Sequence, residues 1–238
     1  IPAREAARAA WPQAAGICYY KLTDVYPACS WATVDYYGVP KSSYYVLAQA
    51  FAPLHAMLLI RSIHAAERYP LYLLDDAGEA AGRRCAVTVQ FFDGGLRLIG
   101  SETREIVPTT AVNPLGDVAL PAALAGDGPV LIHVRLMVDG VQADDTVYWQ
   151  NYKENPGCLK ALPSAALEVR EAGAGYARIV NTGSVPAAGV LVECPAHDTE
   201  FTCDAGVFWL DAGESRTVAV SHTDGLRLSA FNVKETQC

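Results

Sequence analysis

Asp24 and Asp35 are the carboxylates of one aromatic-dense stretch, residues 16–51, which reads GICYYKLTDVYPACSWATVDYYGVPKSSYYVLAQAF. Two carboxyl groups in one loop could divide acid and base work. Beside them stand Tyr20, Tyr26 and Trp31, aromatic faces that could stack on an apolar face of a ligand while polar groups nearby take its hydrogen bonds. A plainer reading fits the same residues. An Asp just after a strand caps loop backbone, and Asp35 precedes a Tyr-Tyr-Gly turn. Tyr19, Tyr36, Tyr37, Tyr44 and Tyr45 would then be packing residues.

The elements that must hold this loop follow from apolar spacing. Gly16–Leu22 is a short run, apolar on both faces and bounded by Gly, as expected of a buried parallel strand. Residues 41–52 place Tyr44, Leu47, Ala48 and Phe51 at i, i+3, i+4, i+7, the spacing of a packed helical face, and Pro53 stops the helix. Strand, loop and helix make one β/α unit. In a barrel of such units the loops after the strands carry the chemistry, so Thr23–Tyr37 is the candidate functional loop. Upstream, Ala-rich Arg4–Gln13 predicts a helix ending near Pro12.

Tyr20-Lys21-Leu22-Thr23-Asp24, Tyr26-Pro27, Ser30-Trp31, Asp35-Tyr36-Tyr37-Gly38, Lys41 and Tyr44-Tyr45 together resemble the last β/α unit of glycoside hydrolase family 2, closest to its exo-β-mannosidase branch. Tyr20 and Tyr26 stand where that branch usually has Trp, and Lys21 and Thr23 replace its Gln and Asn. Phe51-Ala52-Pro53-Leu54-His55 resembles the exit from the family's barrel. Val180-Asn181-Thr182-Gly183, the Gly213-Glu214-Ser215 turn and the closing LRLSAFNV resemble its terminal sandwich.

The resemblance implies the C-terminal part of a retaining glycosidase, whose two catalytic glutamates lie upstream of this sequence. The carboxylates within residues 1–53 are only Glu5, Asp24 and Asp35. No catalytic residue is therefore expected here, and the chain alone is expected to be inactive. Tyr20, Asp24, Tyr26 and Trp31 would line the sugar site. No cofactor is implied. The expected partners are a carbohydrate substrate and the family's preceding barrel and sugar-binding domains. Self-association is expected of faces in residues 1–50 that normally pack against barrel strands.

From Leu54 onward the period shortens. Strand-like runs at 55–63, 69–74, 85–92, 96–107, 117–120, 130–138 and 146–152 are separated by turn signals at Asp75–Gly78, Asp93–Gly95, Asn113-Pro114 and Asp139-Gly140. A second series occupies 165–170, 176–181, 188–194, 200–203, 207–210, 215–221 and 226–232. Many short strands at this spacing predict β-sandwiches. The expected fold class is mainly β: two immunoglobulin-like β-sandwich domains preceded by the last β/α unit of a truncated TIM barrel. The expected domains are that remnant at 1–53, a sandwich at 54–153, a linker at 154–163 and a C-terminal sandwich at 164–238.

The 238 residues carry a net charge of −8 and contain no clustered Lys and Arg, which disfavours nucleic acid and anionic membranes as partners. The opening IPAREAARAAW lacks the layout of a signal peptide. The seven cysteines are odd in number and irregularly spaced, a poor disulfide framework, and no Asn-x-Ser/Thr acceptor occurs, so a reducing cytoplasm is expected. Cys194, His197 and Cys203 would offer a metal two thiolates and an imidazole. Structural zinc wants four ligands, usually in two close pairs, and no second pair is visible, so no metal is expected. A hairpin disulfide between Cys194 and Cys203 and buried free thiols both remain open.

Overall fold

The computed structural model describes residues 2–155 and 157–233. The chain divides into two compact units, residues 1–18 with 48–161 and residues 19–47 with 162–238, so residues 1–53 contribute to both.

In the first unit, helix α1 (Pro2–Ala9) precedes seven strands: β1 (Leu54–Leu58), β2 (Arg68–Asp75), β3 (Cys85–Phe92), β4 (Leu98–Ile106), β5 (Val112–Ala119), β6 (Val130–Val138) and β7 (Val141–Gln150). They form two antiparallel sheets, ordered β1-β2-β5 and β4-β3-β6-β7. Alternation explains the layering. Leu58, Leu71 and Leu73 from the first sheet share one core with Val87, Val89, Phe91, Ile132, Val134 and Leu136 from the second. Tyr69 and Phe91 meet across it with ring centroids 6.3 Å apart. Asp139 and Gly140, at φ 49° and 83°, make the two-residue turn that joins β6 to β7 with Val138 opposite Val141.

Helix α2 (Ser42–Ala50) contains the division between the units. The second unit carries β8 (Leu167–Gly173), β9 (Tyr176–Asn181), β10 (Ala187–Glu193), β11 (Phe208–Leu210), β12 (Ser215–Ala219) and β13 (Arg227–Ser229). Its sheets run β12-β9-β8 and, sharing β10, β11-β10-β13. Ala177, Ile179 and Val218 of the first meet Val190, Val192, Phe208 and Leu210 of the second in a smaller core. Segment 19–47 joins this unit through Tyr45. Its buried ring lies where a Cβ on Gly206 would come within 2.5 Å of the ring's Cγ.

Three expectations are corrected. Gly16–Leu22 forms no strand, and Ile17 and Leu22 are exposed. A barrel strand takes its hydrogen bonds from flanking strands, and among the described residues none flanks this one. Asn113-Pro114 is not a turn: it lies inside β5, an edge strand where proline's missing N–H costs no ladder bond, and the register with β2 shifts beside it. Residues 200–203 form no strand either. After Pro195 the chain winds into a helical turn, with Glu200 N–H and Phe201 N–H both donating to the His197 carbonyl, and only the Cys203–Val220 bridge remains.

Candidate functional site

The loop after residue 22 is built on Asp24. A parallel bridge of Thr23 with Val34 and an antiparallel bridge of Val34 with Pro40 close the loop, and Thr33 and Val34 both donate to the Leu22 carbonyl. Inside it the buried Asp24 carboxylate receives Lys41 Nζ on Oδ2 at 2.7 Å and Lys21 Nζ on Oδ1 at 3.1 Å. The Ser30 hydroxyl donates to the same Oδ1. Lys41 first, then Ser30 and Lys21, hold this carboxyl well below the usual carboxylate range, although burial opposes them. An acid/base catalyst needs a pKa near the working pH, and this group stays charged. Asp24 is an anchor for the loop.

Asp35 is occupied differently. Its Oδ1 accepts from Tyr37 N–H at 2.8 Å and Val39 N–H at 2.9 Å, the side-chain-to-backbone turn expected of an Asp there. The two aspartates thus divide structural labour between the loop's base and its far turn. Tyr20, Tyr26 and Trp31 stand around Asp24 in sequence and are mostly solvent-exposed, at 78%, 63% and 73%. Tyr19 donates its hydroxyl to the Trp31 carbonyl at 2.6 Å, which fixes the backbone under that indole. Lys21 Nζ lies 6.0 Å from the Tyr26 ring centroid. Rigid backbone, exposed rings and a fixed charge can present apolar faces and an ammonium to a polyol. They offer no paired free carboxylates.

Glu5 belongs to a buried network in the first unit, which the sequence reading did not find. Its Oε1 lies 3.0 Å from His55 Nε2 and accepts the Tyr148 hydroxyl at 2.7 Å, while His55 Nδ1 lies 2.8 Å from Asp144 Oδ2. Burial alone would push the His55 pKa down; Asp144 and then Glu5 overcome it and raise it to about 9. Burial and the Glu5 carboxylate keep the Tyr148 phenol neutral well above its ordinary value. The partners of His55 lie 50 and 89 positions away in the chain, so no local spacing announces them. A cleft of about 1080 Å³ in the same unit, walled by residues such as Ala6, Ile60, Tyr72 and Trp149, has no carboxylate in its lining among the described residues.

Cys194 and Cys203 are free thiols. Each is satisfied locally, Cys194 Sγ by the Asp224 carbonyl at 3.2 Å and Cys203 Sγ by the Ala205 carbonyl at 3.0 Å. His197 turns instead toward His222, with ring centroids 4.1 Å apart.

These features define a mainly β protein with sandwich-like sheets of the kind found in the C-terminal part of family 2 glycoside hydrolases. No family model matches the chain. It is 27% identical over 152 residues to β-mannosidase B of Aspergillus niger, a match covering 58% of this chain and 18% of that protein. Among solved structures it superposes on the exo-chitosanase CsxA of Amycolatopsis orientalis with a TM-score of 0.74 at 16% identity, covering 94% of this chain and 30% of that one. The β-D-mannosidase of Dictyoglomus thermophilum gives 0.71 at 16% identity, covering 98% and 28%. The resemblance to the C-terminal part of family 2 glycoside hydrolases, β-mannosidases among them, is thus borne out. The chain spans less than a third of the length of each of these three relatives.

Proposed function

We propose that this chain is the C-terminal part of a retaining exo-glycosidase that removes terminal β-linked sugars, most directly β-mannosides. The observation that carries the reading is the match over 152 residues to a β-mannosidase. Residues 1–53 would then derive from the end of a TIM barrel, Gly16–Leu22 being its last strand once neighbouring strands supply the missing ladder. The loop anchored at Asp24 would form one wall of the sugar pocket. Tyr20, Tyr26 and Trp31 would stack on or border the terminal sugar, and the two sandwiches would be accessory domains. The reaction itself would need a nucleophile and an acid/base carboxyl about 5 to 5.5 Å apart. Asp24 and Asp35, each bound up as described, do not supply them.

The test is hydrolysis of 4-nitrophenyl β-mannoside by the 238-residue chain beside the same chain within a protein carrying a complete barrel. Turnover only in the longer protein supports the reading. Turnover by the 238 residues alone overturns it and returns attention to Asp24 and Asp35. The β-galactoside, β-glucuronide and β-glucosaminide run in parallel decide among the specificities of the family.

A further inference from the structure

His197, Glu200 and His222 come from two parts of the second unit that neither the sugar-site reading nor the cysteine spacing connects. Glu200 follows His197 by three positions, and the helical turn closed by Glu200 N–H and Phe201 N–H on the His197 carbonyl places both side chains on one side. His222 arrives from the end of β12. Ser221 N–H donates to the Thr202 carbonyl at 3.0 Å and Thr202 N–H to the Ser221 hydroxyl at 2.8 Å, which fixes the two chain segments against each other. The Cys203–Val220 bridge continues that pairing. As a result one ligand atom from each of the three side chains lies within 4.8 Å of the other two.

The surroundings complete the arrangement. Asp224 Oδ2 lies 3.1 Å from His197 Nε2, and the Ser221 hydroxyl lies 3.1 Å from His222 Nδ1. One nitrogen of each ring is thereby engaged by an oxygen. A carboxylate on the far nitrogen of a histidine is the usual outer support of a metal ligand, since it fixes the tautomer and raises the basicity of the ring. Two imidazoles and a carboxylate are a borderline donor set that suits zinc and its neighbours, and three protein ligands leave a coordination position open to water.

We propose that His197, Glu200 and His222 bind one divalent transition-metal ion of the zinc type, with Asp224 as outer support of His197. Its ligand set does not use the cysteines, whose thiols bond to the Asp224 and Ala205 carbonyls. Its role is to reinforce the tie between the 195–202 turn and the 220–224 segment, which the Ser221–Thr202 hydrogen bonds and the Cys203–Val220 bridge already pair.

The experiment is titration of the 238-residue chain with Co²⁺ and Zn²⁺, followed by visible absorption and calorimetry, with Glu200→Gln, His222→Ala and Asp224→Asn in parallel. The expected result is one equivalent of Co²⁺ bound without a thiolate-to-cobalt charge-transfer band. Affinity should fall about 10–100-fold in Asp224→Asn and further in Glu200→Gln and His222→Ala. Unchanged circular dichroism in Glu200→Gln, an exposed residue, separates loss of a ligand from loss of fold. No binding by the wild-type chain overturns the proposal. So does binding that shows the thiolate band, or that survives both Glu200→Gln and His222→Ala.

Discussion

Lys41, the residue before α2, reaches back to place Nζ 2.7 Å from Oδ2 of Asp24, so that the end of the aromatic loop is bonded to its beginning. With Lys21 on the other oxygen, the carboxylate is shared between two ammonium groups that are each about a quarter exposed, at 30% and 23% for Lys41 and Lys21. Lys41→Ala removes the shorter of these contacts and leaves Lys21 and Ser30. The loop should then open locally while the sandwiches stay folded. Limited digestion with chymotrypsin should cut after Trp31, Tyr36 or Tyr37 several-fold faster than in the parent chain. An unchanged digestion pattern would mean that backbone bridges alone hold the loop.

The His55 network makes the first unit sensitive to alkali. The His55 pKa is raised from an ordinary value of 6.5 to about 9, so the folded state holds this proton more tightly than the unfolded state. The corresponding stabilisation is complete below about pH 6.5, shrinks as pH rises, and is gone once pH passes about 9. Its size is on the order of 2–4 kcal/mol at one kcal-scale step per pKa unit. Urea midpoints at pH 6 and pH 9.5 should differ accordingly in the parent chain. In His55→Gln the difference should shrink, because that proton is no longer there to lose.

Removal of the imidazole has a second consequence at fixed pH. Glu5 and Asp144 would face a cavity without the cation between them, and breaking a buried ion pair by deleting one partner costs about 3–5 kcal/mol. His55→Ala should therefore lower the denaturation midpoint at pH 6 by more than a surface histidine replacement such as His64→Ala. Equal midpoints would mean that water enters and screens the two carboxylates.

What could be read from residues alone follows the range of the forces involved. The inward row Val130, Ile132, Val134 and Leu136 is set by alternation within one strand, and the structure places three of its members opposite the β3 residues Phe91, Val89 and Val87. The Asp139-Gly140 turn is equally local, since two adjacent residues with positive φ decide it. Gly16–Leu22 shows the limit: its composition fits a buried strand, but a strand exists only through its neighbours. Asn113-Pro114 shows another, because turn chemistry and edge-strand chemistry both tolerate proline, and only the partner β2 decides. In the site, Asp35 could be read from Tyr-Tyr-Gly beside it. The Asp24 partner Lys41 and the Glu5–His55 contact lie across folded distance, where sequence spacing carries no signal.

Tyr45 and Gly206 give a test of how segment 19–47 is held to the second unit. The Tyr45 ring occupies the space where a side chain at 206 would begin, and burial raises its phenol pKa to about 12. In Gly206→Ala the new methyl must displace a ring, an overpacking that costs about 1–3 kcal/mol. Hydrogen exchange in the first turn of α2 should quicken by a factor of ten or so, the equivalent of about 1.4 kcal/mol, while β3 and β6 of the other unit stay protected. If exchange in α2 does not change, the ring has room to move and does not fasten the segment.

Trp31 separates the sugar-pocket reading from a second one, in which a sandwich face binds carbohydrate. The exposed indole, with its carbonyl fixed by Tyr19, is preorganised for stacking, and an aromatic pair or stack is worth about 0.5–1.5 kcal/mol beyond area burial. In the barrel-containing protein, Trp31→Ala should reduce kcat/KM for 4-nitrophenyl β-mannoside by about tenfold, which is about 1.4 kcal/mol. Tyr152→Ala, at an exposed ring in the first unit's cleft, should leave it unchanged. The reverse outcome, with Tyr152 mattering and Trp31 silent, would move carbohydrate recognition to the sandwich. A loss expressed in KM alone would show that Trp31 grips the sugar equally before and during reaction. A loss in kcat would place the ring against the sugar as it distorts toward the transition state.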